Sequence, residues 1–201
     1  MKKLLLSGFE PFLDNRINPT QKVVSTLNGQ IIGNYQVVGK ILPVDFQQSF
    51  SKLLKFYNEM QADAVLMLGL AKGRCCVTVE RIAINCDDAV CDNAGFTPHG
   101  EVIDPNGSDG YFSTLPIYRI VEALKAQNYP AQISNSAGTY LCNHIMYGML
   151  NYLKKSDRRI PAGFIHLPAS HELAALNDVP VPSWSNDDLK KSVEIIIGEL
   201  I

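Results

Sequence analysis

Little in this chain would tie it to a membrane, a nucleic acid or an oxidising compartment. No apolar run approaches the ~20 residues that span a bilayer. Neither sign of charge dominates, with 18 Lys and Arg against 20 Asp and Glu and a net charge of -2. That leaves no basic footprint for nucleic acid or an anionic surface. Lys2-Lys3 before Leu4-Leu5-Leu6 imitates the start of a secretory signal, but the run stops at Ser7-Gly8 with Glu10-Pro11 close behind. It is too short for a signal core and reads better as a buried strand. Cysteine is sparse and odd in number, at five residues. Without an export signal, that predicts free thiols in a reducing cytoplasm. No CxxC pair occurs. His99 could join Cys86 and Cys91, but their spacing is not that of a zinc site, so no metal is expected. No repeat, linker or low-complexity tract divides the 201 residues. They are expected to form one domain, 1–201, large enough to bury a core.

What is present is an alternation of strand and helix patterns. Leu4 to Phe9 is a near-continuous apolar run, as in a strand covered on both faces. A loop through Asp14 leads to Asn18-Pro19, a cap followed by proline at the first helical position. Val23, Val24 and Leu27 face inward, and Asn28-Gly29 ends that helix. Tyr35 to Leu42 reads as a strand. Asp45 is expected to cap the next helix, with Gln48 completing a capping box and Phe46, Phe50, Leu53, Leu54 and Tyr57 forming its stripe. Ala64 to Leu70 is a third strand, and its exit, Gly69 to Gly73, lacks the spacing of a phosphate loop. Val77 to Asn85 reads as one further strand. The polar stretch 86–110 is long enough to be functional or to hold a small hairpin. A helix over 116–127 and a short strand at Ala131 to Ser134 follow. After Gly138, the residues Ile145, Met146, Met149, Leu150 and Leu153 recur at helical spacing. Ala162 to Leu167 is a strand. The loop 168–184 holds Leu173, Ala174, Ala175, Leu176, Val179, Val181 and Trp184, which either pack within the molecule or form a subunit contact. Ser185 and Asp188 open a last helix with Leu189, Val193, Ile196, Ile197 and Leu200 inward. The alternation predicts an α/β/α sandwich around a largely parallel sheet, with a site beyond the strands' carboxyl ends.

Three residues stand out chemically. Cys142 falls in the first turn of its helix, where unpaired N–H groups and the helix dipole favour a thiolate. Alone it would read instead as a buried structural cysteine. His166 ends an apolar strand, where a polar ring needs a reason. Glu80 interrupts another apolar strand, and a buried carboxylate is costly unless paired. It could bridge to Arg74 or Lys72, or it could orient a catalytic imidazole. His144 lies two residues past Cys142 and points elsewhere, so it reads as a hydrogen-bonding residue, and His99 and His171 lie in loops.

Four blocks carry a resemblance that spans almost the whole chain. They are Gly8-Phe-Glu-Pro-Phe12 with Asn18-Pro19, Gly73-Arg74 leading to Glu80-Arg-Ile-Ala-Ile-Asn85, Asp92-Asn93-Ala-Gly95, and Ser136 to His144 with Gly163-Phe-Ile-His166. In this order they resemble the pyroglutamyl peptidase I (pyrrolidone-carboxylate peptidase) family. The resemblance implies a cytosolic cysteine peptidase that removes 5-oxoproline from peptide N-termini, with no metal or organic cofactor and commonly a homotetramer. It implies Cys142 as nucleophile, His166 as general base and acid, and Glu80 as the orienting carboxylate. It places Phe9 and Phe12 against the lactam, Asn18 among its polar contacts, and Leu70, Tyr140 and Leu141 in the substrate-binding set. Backbone N–H groups of Leu141 and Cys142 would hold the oxyanion. Three positions depart from bacterial members: Leu70 replaces a frequent glutamine, Val90-Cys91 stand where an arginine is common, and Val79 replaces proline. The changes at Leu70 and Val90 motivate one alternative, a weak or inert binding protein on the same scaffold, and a further option is a cysteine amidase for other blocked amides.

Overall fold

The computed structural model describes residues 1–13 and 15–200. Asp14, part of the loop expected before the first helix, lies outside the described residues, as does Ile201.

In chain order, β1 (Lys2–Phe9) leads to α1 (Pro19–Leu27), the hairpin strands β2 (Ile31–Ile32) and β3 (Tyr35–Leu42), and α2 (Ser49–Met60). Next come β4 (Ala64–Leu70) and the shorter strands β5 (Val77–Glu80), β6 (Ile82–Ile84), β7 (Asp87–Asp88), β8 (His99–Glu101) and β9 (Gly110–Phe112). Then come α3 (Ile117–Ala126), β10 (Ala131–Ser134), α4 (Leu141–Lys155) and β11 (Ala162–Leu167). The last elements are β12 (Ala169–Ser170), α5 (His171–Ala175), β13 (Ser183–Trp184) and α6 (Asn186–Gly198). Helix starts follow their caps. Asn18 accepts from the N–H of Thr20 ahead of Pro19, and Ser185 accepts from that of Asp188.

The main sheet has the order β10-β5-β11-β4-β1-β3-β2. β1, β3, β4 and β11 run parallel, so Phe9, Leu42, Leu70 and Leu167 end on one edge. β5 runs against β11 and carries β10 with it, and β2 runs against β3. Side chains alternate between faces with period two. Leu4, Leu6, Leu66, Leu68, Val77, Val79, Ile165 and Leu167 pack toward α1, α3 and α6. Leu5, Phe9, Val65, Met67 and Phe164 pack toward α2 and α4. The result is the three-layer α/β sandwich expected from the alternation.

Two local expectations need correction. The strand expected over Val77 to Asn85 breaks at Arg81, which bonds Ser134 on one side and Ser113 on the other. The chain there leaves the main sheet, and Ile82 to Ile84 pair with β9 instead. Asp45 does accept the N–H groups of Gln47 and Gln48, at 2.7 and 3.1 Å. These bonds close a separate turn, however, and α2 begins only at Ser49. Phe46 is therefore buried ahead of the helix rather than on its stripe. The stretch 86–110 contains the small β7–β8 pairing.

Candidate active site

The second face of the sheet carries the chemistry. On β11, Phe164 packs toward α4, so His166, two residues on, points the same way. By the same alternation Gly69 follows Met67, and Thr78 and Glu80 lie opposite in sense to Val77 and Val79. His166 and Gly69 are register partners across β11 and β4. Cys142 is the second residue of α4, reached through Gly138 at φ 78° and an extended Tyr140. A Cβ on Gly69 would lie 2.9 Å from Cys142 Sγ and 2.7 Å from the Phe164 ring. Glycine is thus needed there to let the sulfur sit on the sheet beside the His166 position.

His166 Nδ1 lies 2.7 Å from Glu80 Oε1, with both residues buried. Arg74 Nη1 donates to the same Glu80 oxygen at 2.8 Å and to Thr78 Oγ1. Both sequence readings of Glu80, ion pair and histidine partner, therefore meet on one atom. Burial pushes the Glu80 carboxyl up, but the hydrogen bond and charge of His166, then Ser134 and Arg74, hold it below its ordinary value of 4.5. An ionised Glu80 can only accept, so Nδ1 carries the proton and Nε2 is left as the basic nitrogen of the ring. Glu80 Oε2 is buried with no hydrogen-bond partner among the described residues.

The sulfur itself departs from expectation. Burial, then the charge of Glu80, pushes the Cys142 thiol up to about 12, against smaller opposing contributions from Arg74 and its own N–H. The residue keeps some exposed surface, but Sγ sits over Gly69, beside the space that Phe164 also borders. Desolvation therefore works against the helix end, which favours the thiolate. No hydrogen bond joins Sγ to His166 among the described residues. Proton transfer requires the sulfur and the ring to close further.

A cavity of about 20 Å³ abuts Cys142, lined by Phe9, Phe12, Asn18, Val44, Leu70, Tyr140 and Leu141. All six residues singled out for substrate binding meet there. Val44 was missed, although it follows β3 on the same carboxyl edge as Phe9 and Leu70. The volume suits about one water, so a lactam requires a wall to move. Phe12 and Tyr140 rings lie 6.1 Å apart, and Phe46 braces Tyr140 edge-on at 5.4 Å. Asn18 is a helix cap as well as a lining residue. Its Oδ1 accepts from Thr20 N and Oγ1, and its Nδ2 donates to Glu10 O, which leaves one amide N–H without a partner among the described residues. Leu70 joins Ala169, Leu173, Phe12 and Val181 in an apolar cluster. The 168–184 segment thus packs partly within the molecule, while Leu176 and Val179 stay exposed. A larger cavity of about 560 Å³ sits at the far end of α4, against Leu150, Leu153 and Lys154, and shares no residue with this slot.

The other histidines lie elsewhere. His144 Nδ1 bonds Asp87 Oδ2 at 2.7 Å, and its ring meets the Phe46 ring edge-on. His171 bonds Ser183 Oγ, and His99 is exposed on β8. Of the departures noted above, Val79 faces the opposite side of the sheet and Val90 is exposed.

A cysteine at a helix start, above a sheet that presents a buried His–Glu pair, is the arrangement of a cysteine-type hydrolase on an α/β sandwich. A family model described as pyroglutamyl peptidase matches residues 2–201. The pyrrolidone-carboxylate peptidase of Oceanobacillus iheyensis is 49% identical over 198 residues, covering 98% of each chain. That of Halalkalibacterium halodurans is 50% identical over the same share. The pyrrolidone carboxyl peptidase of Thermococcus litoralis superposes with a TM-score of 0.96 at 36% identity, covering 100% of this chain and 93% of that one. Bacillus amyloliquefaciens pyroglutamyl peptidase I gives 0.95 at 37%, covering 100% and 97%. The chain belongs to the pyroglutamyl peptidase family.

Proposed function

We propose that this chain hydrolyses the amide bond after an N-terminal pyroglutamyl residue, with Cys142, His166 and Glu80 as its catalytic residues. The observation that carries the reading is the buried His166–Glu80 pair, set at the register partner of the glycine that floors Cys142 Sγ. Substrate binding opens the slot and seats the lactam between Phe9 and Phe12, against Leu70, Val44 and Tyr140. The remaining Asn18 N–H meets a lactam oxygen. His166 Nε2 takes the thiol proton as sulfur attacks the pyroglutamyl carbonyl, and the N–H groups of Leu141 and Cys142 receive the oxyanion. Those N–H groups belong to the first turn, where no helical acceptor exists for them. His166 then gives the proton to the leaving amine, and water releases pyroglutamate from the thioester.

A substrate with no free α-amine needs no carboxylate to bind one, which agrees with a slot lined by apolar and aromatic side chains. We extend the reading to residues 1–201 as one functional unit, a reducing cytoplasm, and a homotetramer that covers Leu176 and Val179. The five free cysteines and those exposed apolar side chains support it. Among the described residues no helix is long and apolar enough to cross a membrane.

Release of a chromophore from a pyroglutamyl anilide tests the activity, with the prolyl anilide as control. Turnover of the first alone supports the reading, and preferential cleavage of the second contradicts it. The raised Cys142 thiol and the apolar Leu70 favour one second reading, a weakly active or inert binding protein. Binding of pyroglutamyl peptides without turnover by reduced protein would select it.

A further inference from the structure

Three walls of the slot are tied together by a polar joint that no catalytic step uses. Glu10 Oε1 accepts the N–H of Val44 and the Nδ2 of Asn93, both at 3.1 Å. Asn93 Nδ2 also donates to Pro11 O at 3.0 Å, and its backbone N–H donates to Val44 O at 2.9 Å. The neighbouring Asp92 accepts from Phe46 N at 2.9 Å, and Tyr140 Oη donates to Cys91 O at 3.2 Å. The segment bearing Phe9 and Phe12, the turn bearing Val44, and the Tyr140 ring all converge on residues 91–93. Asn93 itself is exposed, yet its side chain and backbone bridge two segments far away in sequence. An exposed asparagine holding three such bonds is organised for something other than solvation.

We propose that Asn93 and Glu10 are positioning residues that latch the slot over the lactam. The proposal rests on the functional reading given above. The slot closed by this latch holds about 20 Å³, too little for a five-membered ring. Seating the ring therefore displaces these walls, and the joint limits how far Phe12, Val44 and Tyr140 part from it. The latch sets affinity and also shields the sulfur, so removing it has two opposite signatures. Substrate is held less well, while a small reagent reaches Cys142 more easily.

The test pairs steady-state kinetics on a pyroglutamyl anilide with iodoacetamide alkylation, followed at the Cys142 peptide by mass spectrometry. Asn93→Ala is expected to raise KM roughly tenfold with kcat within about threefold, as for lost ground-state binding, and to speed Cys142 alkylation several-fold. Glu10→Ala is expected to do the same, and Glu10→Gln, which keeps an acceptor oxygen, to restore both. An unchanged KM and alkylation rate in Asn93→Ala overturns the proposal. So does a fall in kcat with slower alkylation, which would mean a general distortion. If the wild-type chain releases no anilide, the functional reading fails, and the alkylation comparison alone still decides the latch.

Discussion

Two histidine–carboxylate pairs lie near the start of α4, and they share a bond length but not a setting. His166 and His144 each approach a carboxylate through Nδ1 at 2.7 Å, from Glu80 and Asp87 respectively. In the first pair the carboxylate is fully buried, receives Arg74 on the same oxygen, and is held ionised by its partners. In the second, both side chains keep some exposed surface, at 14% and 9%, and the imidazole packs edge-on against Phe46. Only the first stands on the strand that faces the Cys142 sulfur. A histidine–acid bond is therefore common property, and burial, a fixed charge and a neighbouring cysteine are what set the pair proposed as catalytic apart from the other.

Breaking the first pair is expected to cost far more than breaking the second. His166→Ala and Cys142→Ala should each lower kcat/KM for a pyroglutamyl anilide by ~10⁴-fold or more, with KM of residual turnover little changed. Glu80→Gln should keep the fold but lower kcat by about 10²–10⁴-fold, since the amide no longer fixes the tautomer. Arg74→Ala removes a charged hydrogen bond worth ~1.5–3 kcal/mol, so kcat should fall about 10–100-fold, with Arg74→Lys recovering part of the loss. His144→Ala should leave kcat/KM within a few-fold and lower stability by about 1 kcal/mol in urea unfolding.

The comparison also has a pH signature. The Glu80 carboxyl is held below its ordinary value of 4.5 when folded. The folded state then binds fewer protons than the unfolded chain just below that pH. The stability from Glu80 is fully present above 4.5 and is lost as pH falls through the lower folded value. Wild-type urea unfolding should weaken along this window, and Glu80→Gln should flatten that slope. An unchanged slope would show that Glu80 is not held ionised by its partners.

The fold was legible because its signals are local. Period-two burial in β1, β4 and β11 and the caps at Asn18 and Ser185 can each be read within a few residues. The strand break at Arg81 was not legible, because it depends on Ser113 and Ser134, both distant in sequence. Asp45 misled for a related reason: its side chain makes the bonds of a cap, but the chain turns once before α2 begins. At the site, the residue types at Cys142, His166 and Glu80 were readable as polar intrusions in apolar surroundings, and the slot residues came through family resemblance. The state of the thiol was not readable. A helix start argues for thiolate, and only the folded burial of Cys142 over Gly69 brings in the opposing desolvation. Val44 and the Glu10–Asn93 joint were hidden because their partners lie tens of residues apart.

The most direct test of the central claim is to trap the acyl-enzyme. Reduced protein is mixed with a pyroglutamyl aryl ester, quenched in acid within milliseconds to seconds, digested and mapped by mass spectrometry. A pyroglutamyl thioester on Cys142 is expected to form in the wild-type chain, to be absent from Cys142→Ala, and to form far more slowly in His166→Ala. A wild-type chain that turns the ester over while its acyl group is carried by another residue, with Cys142→Ala equally competent, would contradict it.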